Sequence, residues 1–398
     1  MIDKNAFLGK RVLVTGATGF IGGRLTERLA LEYGAHVKAF VTNFANAARI
    51  SRFAIEMVQG TVTSRSDVLR AAEGCDIIFH CAYGNRGTDE ERRQVNVGGT
   101  QNILDAALQV RASRMVHVST MIVYGTAIDG DLDESMPLCY SGASYADTKI
   151  DAEKLIFNYG KTKGLPVTII QPTAVYGPFA PSWTVNVIEK MKRHRLILVN
   201  GGNGLANPVY IDDLIDAMLL ASYEEKAVGE AFLISGGERI TWHDLYKRYE
   251  AMIGEPSTVN MSIDQVKAHY KSSLKAEFFL TEFFSIMRDQ PMIRRRLLKT
   301  FPLATIKKIS EPILKKYRNS SGKKNSSPVL AKLDKTESVE KPIQVLNPLM
   351  LEFFSVKTNV KIDKARQLLK YSPRFDFKTG MNITEKWARW ANMVNYDL

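Results

Sequence analysis

Three groups of side chains in this 398-residue chain can do chemistry together. The first is Tyr145-Ala-Asp-Thr-Lys149, in a stretch that reads as helix through Phe157. A spacing of i, i+4 puts the phenol and the ammonium on one helix face. A free tyrosine, with a pKa near about 10, is a poor base at neutral pH, but a neighbouring ammonium favours the phenolate and brings it into a useful range. The second group is Ser119-Thr120-Met121-Ile122-Val123-Tyr124-Gly125. It puts hydroxyls at the C-terminal end of a strand, and in an open parallel sheet that end faces the ligand crevice. The third is the run Arg11–Gly22, RVLVTGATGFIG. Gly16, Gly19 and Gly22 follow the apolar Val12–Val14 directly and precede a helical pattern, Gly23–Leu31. Glycines let the backbone approach a diphosphate, and the free N–H groups at a helix start, with the helix dipole, hold its charge. The spacing is G-x-x-G-x-x-G rather than G-x-G-x-x-G. A tight turn is the plain alternative for such glycines, and a Tyr-x-x-x-Lys alone is more often a surface pair. Occurring together, the three groups point to a nicotinamide dinucleotide and acid/base chemistry.

The elements that must position these groups alternate in type. Val37–Val41 reads as the second strand, Met57–Val58 leads to Gly60-Thr61-Val62, and Asp76–Cys81 and Arg114–Ser119 are further apolar strands. Gln94–Ala107 reads as helix. This β-α repetition predicts an α/β protein with a doubly wound, Rossmann-type parallel sheet covered by helices on both faces. The end of the second strand bears on cofactor choice. An acidic residue there would hydrogen-bond the adenosine ribose, and a basic one would pair with a 2′-phosphate. The chain reads Thr42-Asn43, with Arg49 further on, so NAD and NADP both stay open.

Composition narrows the class. The hydrophobic fraction of 45% and charged fraction of 24% are ordinary for a globular protein. Cys75, Cys81 and Cys139 are odd in number and lack metal-ligand spacing, so no metal site is expected and reduced thiols in a cytoplasmic protein are the simplest reading. No signal peptide precedes the first strand, and no apolar run approaches the roughly 20 residues of a membrane span.

Seven motifs in order resemble the extended short-chain dehydrogenase/reductases, the family of nucleotide-sugar epimerases and dehydratases and of 3β-hydroxysteroid-type dehydrogenases. They are TGATGFIG, HCAY at His80–Tyr83, NVGGTQNIL at Asn96–Leu104, STMIVYG, YADTK, QPTAVYGP at Gln171–Pro178 and PVYIDDL at Pro208–Leu214. The resemblance covers about residues 8–255 and a stretch near 355–392. It implies an NAD(P)-dependent enzyme in which Tyr145 is the acid/base. Lys149 would lower its pKa and bind the nicotinamide ribose, and Thr120 would hydrogen-bond the reacting oxygen. Gly16, Thr18, Gly19, Phe20, Ile21 and Gly22 would cradle the diphosphate. Asn43, Thr61 and Val62 would lie toward the adenosine end, with Cys81, Ala82, Tyr83 and Asn96 near the ribose and diphosphate. Pro172 and Thr173 would border the nicotinamide. The resemblance also implies a homodimer built on the helices that carry Asn96 and Tyr145. The departures matter too. Thr61 stands where an adenine-binding Asp is usual, and Gln171 where Arg is usual. Ala174 and Ala206 replace an Asn and an Arg that often bind the substrate diphosphate of nucleotide-sugar enzymes.

The second half is set apart by charge. Between Glu255 and Lys341 there are 18 Lys/Arg against 9 Asp/Glu, most of the chain's net +12. Ala276–Arg288 places Phe279, Phe283 and Ile286 on one helical stripe, and basic clusters interleaved with Leu and Ile follow. Such a segment either caps the substrate pocket or lies peripherally on an anionic membrane at the inner face. No nucleic-acid module is recognisable. The expected division is a dinucleotide-binding core over 1–175, its family likeness continuing to about 255, and a substrate-binding part over 176–255. A basic helical insertion over 256–318, a linker over 319–345 and a C-terminal part over 346–398 complete it. Three functions compete. The first is oxidoreduction or epimerisation at a secondary alcohol or ketone of a sugar-type small-molecule substrate, in polysaccharide or glycolipid assembly. The second is a 3β-hydroxysteroid-like dehydrogenase acting on a hydrophobic alcohol, and the third a non-catalytic dinucleotide-binding protein.

Overall fold

The structure, a computed structural model, describes residues 2–3, 5–126, 128–274 and 341–395. Seven strands form the central sheet: β1 (Arg11–Thr15), β2 (His36–Val41), β3 (Glu56–Gln59), β4 (Ile77–His80), β5 (Arg114–Val118), β6 (Val167–Pro172) and β7 (Glu230–Ile234). All pairings are parallel, in the order β3-β2-β1-β4-β5-β6-β7. Alternate residues of one strand feed two cores. Val12 and Val14 pack into one, Leu13 into the other, because successive side chains of a strand point to opposite faces. Helix α1 (Phe20–Leu31) covers the first face, and α2 (Arg65–Ala72) and α3 (Gly99–Gln109) the second. Helix α4 (Ser144–Lys163) joins the second face through Ile156 and Tyr159, and α5 (Ile211–Tyr223) the first. Strand order reverses between β1 and β4, and the crevice beyond the strand ends at such a switch point is where this class of sheet takes its ligands.

Outside the central sheet, short strands pair two by two. Ala174–Tyr176 runs beside Pro208–Tyr210, Leu196–Val199 beside Thr258–Met261, and Gly130–Leu132 beside Thr358–Val360. The last helix among the described residues is α6 (Phe377–Trp390). Its start is fixed by Asp376, whose carboxylate accepts from Thr379 N at 2.7 Å.

Structured chain reaches into both ends of the expected insertion and linker. Residues 258–261 are a paired strand and 263–274 are helical. Ile343 bridges to Arg195, and the Lys341 ammonium donates to the Met191 carbonyl at 2.9 Å. The amphipathic stripe at 276–317 lies outside the described residues. No helix among the described residues is long and apolar enough to cross a membrane.

Candidate active site

The glycine turn is built as the spacing demands. Gly16 has φ +65°, and a Cβ there would sit 2.8 Å from the Cys81 carbonyl and Ala82 N. A Cβ on Gly22 would sit 2.4 Å from the Gly16 carbonyl oxygen. Both positions therefore exclude any larger residue, and the close approach packs β1's turn against the end of β4. Gly19 N-caps α1 without a side-chain cap, and the first turn holds no acidic residue. The N–H groups of Phe20, Ile21 and Gly22 thus face outward with the positive helix end, as a diphosphate requires. Thr18 is half-buried beside them.

A buried polar chain holds this turn to the neighbouring strand. Thr100 Oγ1 donates to the Asn96 carbonyl at 2.6 Å, so it accepts from His80 Nε2 at 3.1 Å. His80 Nδ1 is then the acceptor of the Thr15 hydroxyl at 2.8 Å, and Thr15 Oγ1 accepts from Ala82 N at 3.2 Å. Burial drives His80 down to about 3, so the imidazole is neutral, as this chain of donors requires. Asn96 is spent within the protein: Oδ1 accepts from Gly84 N at 2.8 Å, and Nδ2 donates to the Gly84 carbonyl and to Thr148 Oγ1, both at 3.2 Å. It latches the Cys81–Gly84 loop to α4 and so shapes the cleft through its neighbours.

Beyond the ends of β2 and β3, where the resemblance puts the adenosine end, lies a groove of about 820 Å³ lined by Thr42, Phe44, Glu56–Thr61, Asp67 and Arg70. Thr61 N donates to Asp67 Oδ2 at 3.3 Å, and Thr61 Oγ1 pairs with Thr63 Oγ1 at 2.9 Å. A carboxylate therefore does stand in this groove, from α2 and not from position 61, and sequence spacing gave no sign of it. Val62 is buried, its carbonyl held by Asn102 at 2.9 Å. Asn43 Oδ1 accepts from Ala45 N at 2.8 Å. Arg49 lies over the Phe179 ring at 4.4 Å and 3.6 Å from Glu27.

At the other end of the cleft Thr120, Tyr145 and Lys149 come together. Thr120 follows β5 at its C-terminal end, and its hydroxyl stands close enough to the Tyr145 phenol to pull the phenol's pKa down. Tyr145 remains 39% exposed although its hydroxyl is deep, so one side of the ring faces the cleft. Its ring meets Tyr83 edge-on at 5.1 Å, and the Lys149 ammonium lies 5.4 Å from the Tyr83 centroid. Lys149 Nζ donates to the Val118 carbonyl at 2.7 Å. The expected lowering of the phenol by Lys149 is not what this arrangement gives. Burial raises the Tyr145 pKa, Thr120 pulls it back, and the ammonium is directed at Val118. The phenol is therefore held protonated. Burial also pushes Lys149 down to about 8 against the pull of Glu153 and Cys81, and pushes Cys81 up to about 12. Pro172 ends β6 beside this group, and Thr173 Oγ1 donates to the Ile234 carbonyl at 3.1 Å.

Ala174 and Ala206 stand where nucleotide-sugar enzymes often carry an Asn and an Arg for the substrate diphosphate. Ala174 and Ala206 are buried. Asn207, next to Ala206, donates to the Thr358 carbonyl at 2.7 Å and accepts from Val360 N at 3.4 Å. It secures the returning C-terminal strand. No group of three or more His, Cys, Asp or Glu among the described residues could hold a metal.

Comparison with known proteins agrees with this geometry. The sequence profile of the NAD dependent epimerase/dehydratase family matches residues 12–235. The chain is 29% identical over 274 residues to a 4-hydroxy-2-methyl-3-oxo-4-farnesyl-3,4-dihydroquinoline-1-oxide ketoreductase of Stigmatella aurantiaca, covering 66% of this chain and 80% of that one. It is 28% identical over 285 residues to a 2-alkyl-3-oxoalkanoate reductase of Shewanella oneidensis, covering 67% and 72%. Among solved structures, the epimerase Mth375 of Methanothermobacter thermautotrophicus superposes with a TM-score of 0.69 at 19% identity, covering 98% of this chain and 96% of that one. That likeness concerns the fold.

Proposed function

Because the chain belongs to the NAD dependent epimerase/dehydratase family, we propose that it reduces the ketone of a mainly apolar substrate to a secondary alcohol. It is an NAD(P)-dependent enzyme of the extended short-chain dehydrogenase/reductase type. The observation that carries the reading is the meeting of Thr120, Tyr145 and Lys149 at the C-terminal end of β5, and the names of the two relatives, a ketoreductase and a reductase, favour the reductive direction. A protonated phenol is an acid poised to give its proton to a carbonyl oxygen.

The glycine turn fits a dinucleotide, since glycine at 16 and 22 lets the turn pack tightly on the end of β4 and on itself while it delivers the uncapped first turn of α1 to the strand ends. Gly16, Gly19 and the N–H groups of Phe20–Gly22 would hold its diphosphate, and Tyr145 and Lys149 its nicotinamide ribose. When bound, the cofactor supplies hydride to the substrate carbon. The chain's own groups then do the rest. Thr120 would orient the carbonyl oxygen and Tyr145 would protonate it as it gains charge, with Lys149 one helical turn further along α4. Proton transfer by a positioned group contributes typically about 10²–10⁴-fold.

The substrate class rests on Ala174 and Ala206. Two buried methyl groups stand where a nucleotide-sugar site would need polar contacts, and Asn207 is occupied internally. The two relatives, by name, reduce a farnesylated ring ketone and an alkyl oxoalkanoate, which favours the hydrophobic reading over the sugar-type one. We also take the active form to be a homodimer, which light scattering tests directly. The functional test is consumption of NADH or NADPH with 2-alkyl-3-oxo acids and prenylated ring ketones, against UDP- and dTDP-keto-sugars. Turnover of the apolar ketones alone is expected. Turnover confined to the nucleotide sugars would return the sugar-type reading.

A further inference from the structure

Tyr145, Lys149 and Glu153 occupy three successive turns of one face of α4, and they sink progressively into the protein. Tyr145 is 39% exposed, Lys149 5% and Glu153 1%. The Glu153 carboxylate is held by Gln171, whose Nε2 reaches both Oε1 and Oε2 at 3.0 Å. Gln171 is itself oriented, because its Oε1 accepts from the Tyr124 hydroxyl at 2.9 Å. Gln171 is neutral, and among the described residues no Lys, Arg or His lies within ion-pair distance of Glu153.

The surroundings of Lys149 show a complementary pattern. From β4 it faces His80 and, just beyond, Cys81; from β5 it faces His117. From its own helix it meets Glu153, and the Tyr83 ring closes the cleft side. His80 and His117 stack at 5.1 Å and burial keeps both neutral, while the Cys81 thiol is kept protonated. Tyr83 and Tyr145 are neutral phenols for the same reason. Of the described groups that act on this buried ammonium, Glu153 alone is a carboxyl group.

We propose that Glu153 is a positioning residue for the active site: held by Gln171 and given no cation of its own, its carboxylate is the counter-charge of the Lys149 ammonium, one helical turn away. Like charges are absent here and opposite charges face each other through a dry interior, where they act strongly. Burial disfavours the charged form of both groups, and each opposes that effect in the other. Gln171 is what leaves the carboxylate free for this role, because a guanidinium at that position would pair with it. The inference rests on Lys149 being the lysine that serves the cofactor and the phenol.

The experiment follows the Lys149 ammonium itself. The full chain is labelled with 13Cε-lysine, and the Lys149 resonance is identified by its loss in Lys149→Met. Its pH midpoint is then compared in wild type, Glu153→Gln and Gln171→Arg. Glu153→Gln removes the charge at constant shape, and Gln171→Arg keeps the carboxylate but supplies it with another cation. Both are expected to lower the midpoint by about one unit or more, a tenfold loss of ammonium above it. An unchanged midpoint in either variant that keeps the wild-type circular dichroism spectrum overturns the proposal. NADH titration of Lys149→Met reports separately on the premise: full affinity there would take Lys149 off the ribose and leave the lysine titration to stand by itself.

Discussion

Two clusters of buried charge sit on opposite sides of the sheet, and they are built in opposite ways. The first two turns of α5 carry Asp212, Asp213 and Asp216, all nearly buried. Each is met by partners. Arg24 reaches Asp212 through Nε and Nη2 at 2.6 and 3.0 Å, and Arg28 reaches Asp216 at 2.7 Å. Arg374 donates to Asp216 from its side chain at 2.5 Å and to Asp213 from its backbone at 2.7 Å, and Phe375 N adds a bond to Asp213 at 3.3 Å. On α4, by contrast, Lys149 and Glu153 are as deeply buried but share no ion pair, and each is held by a neutral group. A paired cluster spends its field on its partners and fixes position. A separated one leaves its field acting on whatever enters the cleft. The first cluster pins α1, α5 and the C-terminal segment to one another, and the second lies beneath the phenol.

The sharpest way to break this contrast is Asp216→Ala. It strips one guanidinium of Arg28, itself 3% exposed, and the side-chain partner of Arg374. Removing one member of a buried pair costs about 3–5 kcal/mol, because the other charge stays buried. A fall of that size in unfolding free energy by urea is expected, and a loss under about 1 kcal/mol would show the network to be surface-like.

Tyr145→Phe acts on the other cluster and should do the reverse. The edge-on ring contact with Tyr83 survives, so thermal stability and NADH binding should hold. Turnover should fall about 100-fold or more, about 3 kcal/mol in barrier. Near-normal turnover would remove Tyr145 from the chemistry.

A smaller effect separates Asp213 from its neighbours. Burial raises it to about 6 in spite of the two backbone donors. A carboxyl raised in the folded state favours folding below its unfolded value near about 4, and that contribution is lost as pH rises through about 6. Asp213→Asn should remove this dependence. The melting temperature of wild type relative to the variant should therefore decline between about pH 4 and 7, and parallel curves over that window would contradict the assignment.

Local patterns made part of this molecule legible before any coordinates. Val12–Val14 followed by Gly16, Gly19 and Gly22 specified strand, turn and helix, because the constraint is steric and acts within a dozen residues. Tyr145 and Lys149 shared a face for the same local reason. Glu153 stood one more turn along and carried a signal of the same kind, but its meaning depends on Gln171, which arrives from β6. Asp212 and Asp213 were visible only within the PVYIDDL motif and Asp216 lay beyond it, since the partners of this cluster come from positions 24, 28 and 374. Asp67 in the adenosine groove escaped because its role comes from α2 folding back over Thr61. Periodicity tells which face a side chain is on and says nothing of what faces it.

The smallest expected effect concerns cofactor choice. At the end of β2 Asn43 presents an amide engaged with Ala45 N, and neither a carboxylate nor a cation stands at that position. Arg49 is stacked on Phe179 near Glu27, and Arg70 is turned to the Gln59 carbonyl at 2.7 Å and Asp67 at 3.1 Å. A ribose hydroxyl and a 2′-phosphate therefore meet a surface whose nearest opposite charges, Asp67 and Arg70, are already paired with each other. Titration of NADH and NADPH by fluorescence should give dissociation constants within about tenfold, about 1.4 kcal/mol. Asn43→Asp should move the balance toward NADH by repelling the phosphate, and Asn43→Arg toward NADPH by pairing with it, each by about tenfold. The arginine effect should weaken with salt, since this groove is open and its charges are screened. A wild-type preference beyond roughly 1000-fold, about 4 kcal/mol, would mean that one of the two arginines turns into the groove when the cofactor binds. Arg49→Ala and Arg70→Ala would then identify which, by abolishing that preference.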